Sequence, residues 1–88
     1  MTIVYDQVVN YIASKPANYL TTMGNTLTDL NLNTKSKVYD NAVGRALSEL
    51  HSTGNLCGKN RLILVEMSPK YARGGKRPTN LYRIVEAS

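Results

Sequence analysis

The sequence predicts an α+β fold, three helices followed by a two-stranded β-hairpin, and three observations carry the prediction. Apolar residues recur at helical spacing in three successive stretches before Gly54. Two β-prone runs, Arg61–Met67 and Asn80–Val85, follow it. Between those runs lies a segment from Ser68 to Thr79 with two prolines and a Gly-Gly pair, too rich in turn residues for a helix.

The first helix is expected over Ile3–Ser14. Val4, Val8, Tyr11 and Ile12 share a face, flanked by Tyr5 and Val9. Thr2 is its candidate N-cap, and Lys15-Pro16 ends it because the residue before proline is driven out of the helical region. Ala17–Leu20 reads as a short connection. A second, weaker helix is expected over Met23–Asn31, capped by Thr21 or Thr22, with Met23, Leu27 and Leu30 apolar. Gly24 and its Thr and Asn residues lower its propensity, so it depends on packing. Leu32-Asn33-Thr34 reads as a turn. The third helix has the clearest pattern, from Lys35 or Ser36 to Thr53, with Tyr39, Val43, Ala46, Leu47 and Leu50 on one stripe and Gly54 as its C-terminal cap.

Length and composition agree with one domain spanning residues 1–88. With no Trp and no Phe, the core falls to ten leucines, the Val and Ile residues and some of the six tyrosines. Tyr5, Tyr11 and Tyr19 are assigned to the core or to helix interfaces. A single cysteine, Cys57, excludes an internal disulfide and any CxxC site, and reads as a small apolar residue. His51 has no second His or neighbouring Cys and is expected at or near the surface. With one His, one Cys and scattered acids there is no catalytic constellation, so the expectation is a protein that is not an enzyme and uses no metal or cofactor. No apolar run reaches membrane-spanning length, and the first residues lack a cationic segment leading an apolar block. A cytoplasmic protein, or one of the host cytoplasm if viral, is the resulting expectation.

The net charge of +5 is uneven: residues 1–34 sum to −1 and residues 35–88 to +6. A basic excess confined to one part of a chain points to a polyanionic partner. Two segments carry it. On the third helix, at about 100° per residue, Lys37, Asn41, Arg45 and Ser48 fall between about 120° and 200° from Val43, away from the buried stripe. Asn pairs bidentately with adenine and Arg or Lys with guanine, while Ser48 and Thr34 suit phosphates. In the turn-rich segment, Lys70, Arg73, Lys76 and Arg77 surround Gly74-Gly75, and Tyr71 stands among them. Flexible backbone with cationic side chains suits a minor groove. Gly-Gly-Lys-Arg-Pro-Thr lacks the spacing of a P-loop.

Residues 41–56 resemble the recognition helix of winged helix-turn-helix proteins in Val43, Arg45, Ala46, Leu47, Leu50, Gly54 and Leu56, the last opening the wing strand. Residues 74–84, Gly-Gly-Lys-Arg-Pro-Thr-Asn-Leu-Tyr-Arg-Ile, resemble the return of such a wing, with Leu81 and Tyr82 or Ile84 packing onto the core. The resemblance implies a three-helix winged helix-turn-helix with a C-terminal two-stranded wing. It implies sequence-specific binding of double-stranded DNA by a small transcriptional regulator of phage, plasmid or viral type. Helix 35–53 would enter the major groove and the basic wing, 69–79, would lie on the minor groove or backbone. A homodimer is expected, joined through the first helix or the C-terminal strand. The alternative is an adaptor or inhibitor on the same scaffold that binds a host protein. Gly44, inside the third helix, implies a close approach by the second helix, another backbone or a phosphate.

Overall fold

The computed structural model describes residues 3–33, 35–68 and 79–87. Its elements run α1 (Ile3–Ser14), β1 (Tyr19–Thr21), α2 (Met23–Asp29), α3 (Lys37–Thr53), β2 (Asn60–Ser68) and β3 (Thr79–Glu86). The molecule is α+β: three helices packed on an antiparallel sheet of order β1-β3-β2. The Thr2 cap and the basic positions Lys70, Arg73, Lys76 and Arg77 lie outside the described residues, as do Thr34 and Tyr71.

The sheet differs from the expected two-stranded hairpin by one strand. Residues 17–20 read in sequence as a short connection with some extended character; in the structure Tyr19, Leu20 and Thr21 form a strand and pair with Ile84, Arg83 and Tyr82. Asn18 makes this possible by taking a left-handed conformation, φ 72°, and donating its N–H to Ile84 O at 2.7 Å. A three-residue strand is too short to show alternation in sequence. β3 is therefore the central strand, hydrogen-bonded on both edges. β1 covers Tyr82–Ile84 on the edge of β3 away from β2.

The helices end where local chemistry ends them. Thr22 caps α2, its hydroxyl accepting from Asn25 N–H at 3.1 Å. That helix stops at Asp29, two residues short of expectation, because Asn31 adopts φ 60°. Ser36 caps α3 by accepting from Tyr39 N–H at 3.4 Å, so the helix starts at Lys37, just after the expected Lys35 or Ser36. Gly54 closes α3 with φ 71° and an N–H bond to Leu50 O of 3.1 Å. The chain does not pass directly from Leu56 into the hairpin. Leu56 is 58 % exposed, and Cys57 and Asn60 exchange backbone hydrogen bonds of 2.7 and 3.0 Å in a tight turn, so β2 opens at Asn60.

The core draws on every helix and on both long strands: Val8, Tyr11 and Ile12 of α1, Leu27 of α2, Val43, Ala46, Leu47 and Leu50 of α3, Leu62 of β2, and Tyr82 and Ile84 of β3, together with Cys57. Tyr5 and Tyr19 are half-buried against it, as expected of them. In a chain of this size each such side chain is significant; truncating a buried leucine costs about 2–5 kcal/mol. Burial pushes the Cys57 thiol pKa up, which keeps it neutral.

Two polar devices tie the layers together. Tyr11 Oη donates to Asp29 Oδ2 at 2.7 Å and lies 3.2 Å from Thr21 Oγ1, linking α1, α2 and β1. Tyr19 Oη donates to the same Asp29 oxygen at 3.0 Å, and Lys15 Nζ sits 4.9 Å from both tyrosine ring centroids. In the second, Asn60 Nδ2 donates to the carbonyls of Ile12 at 2.9 Å and Lys15 at 3.0 Å. Those carbonyls belong to the C-terminal end of α1, where intrahelical partners run out.

Candidate nucleic-acid interface

α3 is seated by Val43, Ala46, Leu47 and Leu50, all buried. Burying that stripe forces the opposite side outward, and Lys37, Asn41, Arg45 and Ser48 are all exposed. Lys37, Asn41 and Arg45 follow at four-residue steps, which places them in one gently drifting row. From Lys37 to Ser48 the row covers about 16 Å of helix axis. No hydrogen bond or ion pair to another described side chain ties down Lys37, Asn41 or Arg45, so the row is available to a ligand. Lys35, just ahead of the helix, is also exposed.

The helix lies beside the base of the hairpin. A cleft of about 340 Å³ opens between α2, the middle of α3 and the β2–β3 ends, lined by Met23, Gly44, Leu47, Ser48, Met67, Thr79, Asn80 and Tyr82. Ser48 thus borders both the exposed row and the cleft. Met67 and Thr79, both on the cleft wall, are close in sequence to the two ends of residues 69–78. Asn80 Nδ2 donates to Tyr82 Oη at 2.9 Å at the cleft wall. Further along, His51 is half-buried, its ring 5.9 Å from that of Tyr82, which seats the C-terminal part of α3 over β3.

The distribution of charge sharpens the picture. The described residues carry seven Lys and Arg against six Asp and Glu, a net +1. Lys70, Arg73, Lys76 and Arg77 supply the other four charges of the total of +5. α3 itself holds Lys37 and Arg45 against Asp40 and Glu49, so it is not a basic helix overall. Its exposed row offers hydrogen-bonding groups of particular identity, and the concentrated positive charge belongs to residues 69–78 of the sequence.

Met23, Thr79 and Asn80 were not singled out from sequence as part of this surface. Asn80 and Tyr82, two apart on one strand and so on the same face, were the available signal. Gly44 was marked as a point of close approach, and the neighbour is Met23 of α2, whose Sδ lies 3.1 Å from where a Cβ would stand. Among the described residues no group of three or more His, Cys, Asp or Glu is placed to hold a metal ion, and no helix is long and apolar enough to cross a membrane. The chain matches no protein-family model, no curated protein and no solved structure.

Proposed function

We propose that this chain is a winged helix-turn-helix protein that binds double-stranded DNA, with α3 in the major groove and the 69–78 segment on the minor groove or backbone. The observation that carries the reading is the exposed row Lys37, Asn41, Arg45 and Ser48, running along α3 to the cleft that Ser48 borders with Met67 and Thr79. The order helix, strand, helix, helix, strand, strand supports it, with α2 crossing α3 at Gly44 as the two helices of a helix-turn-helix unit would.

Each part of the surface has a distinct role in this reading. Asn41 and Arg45 read base edges, Asn41 toward adenine and Arg45 toward guanine. Lys37 stands with them nearest the bases, while Ser48, at the end of the row, holds a phosphate and fixes the register. Lys70, Arg73, Lys76 and Arg77 supply most of the sequence-independent attraction through counterion release. A small regulator of transcription is the role that such a domain fits.

Duplex titration at two salt concentrations, followed by selection of bound oligonucleotides from a random pool, tests the proposal. The expected result is tight, strongly salt-dependent binding that enriches a defined motif. Absence of duplex binding at low salt would overturn it and leave a protein partner as the ligand of this scaffold.

A further inference from the structure

Val38 is the most exposed large apolar side chain among the described residues, 74 % accessible. It belongs neither to the buried core nor to the partly buried residues packed against that core. It stands in the first turn of α3, two places after the Ser36 cap. A β-branched residue there adds no helix propensity that an ordinary polar residue would not match or exceed. Val38 therefore does little for the fold, and what it offers is its place on the surface.

That place is on the outward row. At about 100° per residue, Val38 lies about 220° from Val43, which is within about 20° of Arg45 and about 60° of Asn41. It precedes Asn41 by three residues and Arg45 by seven, so it neighbours Asn41 on the helix surface and lines up with Arg45 two turns on. Ala42, half-buried, follows it one turn along, and exposed Lys37 and Asn41 stand on its flank. The row is thus a line of hydrogen-bonding side chains with one branched apolar group set among them near the start of the helix.

We propose that Val38 reads the 5-methyl group of a thymine in the major groove. The inference rests on the DNA-binding reading of α3 and deepens it. In unmodified DNA, thymine is the base that shows an apolar group in the major groove, and apolar side chains meet it there. A recognition helix presents its N-terminal residues to the base edges, and Val38 is in that turn. An isopropyl group makes no hydrogen bond. Set against another base edge it covers a donor or acceptor and leaves it unpaired, whereas against a methyl group both apolar surfaces leave water together. One exposed valine with polar side chains beside it is also too small to be the apolar centre of a protein interface. The neighbours fix where the thymine lies. Along the helix axis Val38 is about 4.5 Å from Asn41, and Asn41 about 6 Å from Arg45. Successive bases are spaced about 3.4 Å apart. The thymine accordingly sits about one step from the adenine contacted by Asn41, on the side away from the guanine contacted by Arg45.

Fluorescence anisotropy with the selected duplex, each thymine replaced in turn by uracil, tests the inference. Uracil keeps the pairing and the hydrogen-bonding groups of thymine and lacks only the methyl. At one thymine per bound chain, beside the Asn41 adenine, the replacement is expected to weaken binding by the parent about three- to fivefold. Val38→Ala is expected to lose a similar factor on the thymine duplex and to show no further loss with uracil at that position. At every other thymine the two proteins are expected to respond alike. Alanine is the better helix former, so Val38→Ala is expected to melt no lower than the parent, which separates a lost contact from a lost fold. A tight, sequence-selective complex indifferent to uracil at every thymine would overturn the role of Val38 and leave α3 as the reading helix. So would a Val38→Ala variant as sensitive to uracil as the parent, or a selected motif without a thymine beside that adenine. Absence of duplex binding would remove both readings at once.

Discussion

The sulfur of Met23 lies 3.1 Å from the point where a side chain on Gly44 would begin, so α2 meets α3 at the one position of α3 without a Cβ. A glycine inside a helix costs about 1 kcal/mol relative to alanine. Here it lets Met23 close over the middle of α3 and sets the separation of the two helices beside the cleft. Since Met23 is half-buried and its thioether is flexible, one methyl group can be accommodated by a small shift of the sulfur. Gly44→Ala is expected to stabilise the fold by about 0.5 kcal/mol, the helical gain outweighing the displacement. Gly44→Val, with branched bulk against Met23, is expected to lose about 1–3 kcal/mol. Urea denaturation measures both. A loss of more than about 1 kcal/mol for Gly44→Ala would mean that Met23 cannot move.

Tyr11 makes stability depend on alkaline pH. Burial, the largest influence, pushes its phenol pKa well above the ordinary value, and the Asp29 carboxylate beside the hydroxyl pushes the same way. The folded state therefore holds its proton where the unfolded chain has begun to release it. This contribution is fully present below the ordinary tyrosine pKa of about 10 and falls as pH rises beyond it. Tyr11→Phe is expected to cost about 1–2 kcal/mol near neutrality, where the bond to Asp29 is lost. Above that pH range the variant is expected to decline less steeply than the parent. Melting temperature against pH for the two proteins measures the difference; parallel curves would contradict the assignment.

Asn60 closes the end of a helix more than forty residues earlier in the chain, through its side-chain amide on the carbonyls of Ile12 and Lys15. Its two amide protons are what the site requires. Asn60→Ala removes the side-chain donor to the Lys15 carbonyl and one of the two donors to Ile12 O, which keeps the Lys15 N–H, and is expected to cost about 1–2 kcal/mol. Asn60→Asp turns a carboxylate toward carbonyl oxygens, which raises the folded-state pKa of the new acid above its unfolded value. Its stability is then highest below the ordinary aspartate pKa of about 4 and falls as pH rises through the folded value. Asn60→Asp should accordingly be less stable than Asn60→Ala at neutral pH and close part of that gap in mild acid. Chemical denaturation at the two pH values tests the sign.

The elements that could be read from sequence are those whose signal is periodic or local. Val43, Ala46, Leu47 and Leu50 recur at helical spacing, and their burial turns Lys37, Asn41, Arg45 and Ser48 outward by geometry alone. Gly54 follows the last of them and adopts the left-handed conformation its position implies. What could not be read is what depends on partners distant in the chain. β1 exists because Asn18 turns the backbone onto Ile84, a contact between residues that no local pattern connects. Asn60 looks like a turn residue after Gly58-Lys59, and its role becomes visible only when α1 lies against it. Leu56, apolar and next after Asn55, has the pattern of a strand opening, yet the Cys57–Asn60 turn leaves it in solvent.

The proposed division of labour between α3 and the basic segment makes a prediction about salt. Arg45 is placed to contact a base edge, so Arg45→Ala is expected to cost about 1–3 kcal/mol on the preferred duplex and little on unrelated sequences. The slope of log K against log salt should hardly change, unless Arg45 also neutralises a phosphate. Lys76→Ala with Arg77→Ala is expected to weaken every duplex to a similar degree. Each phosphate contact it removes should flatten that slope by about 1. Together the two variants separate reading from attraction: one lowers the ratio of specific to non-specific affinity, and the other lowers both affinities and leaves their ratio near that of the parent. Fluorescence anisotropy with matched and scrambled duplexes over a range of salt distinguishes these outcomes. If Arg45→Ala weakened both duplexes equally, α3 would be an electrostatic surface without a reading function. If the double variant bound as tightly as the parent at every salt concentration, residues 76 and 77 would have no part in the interface.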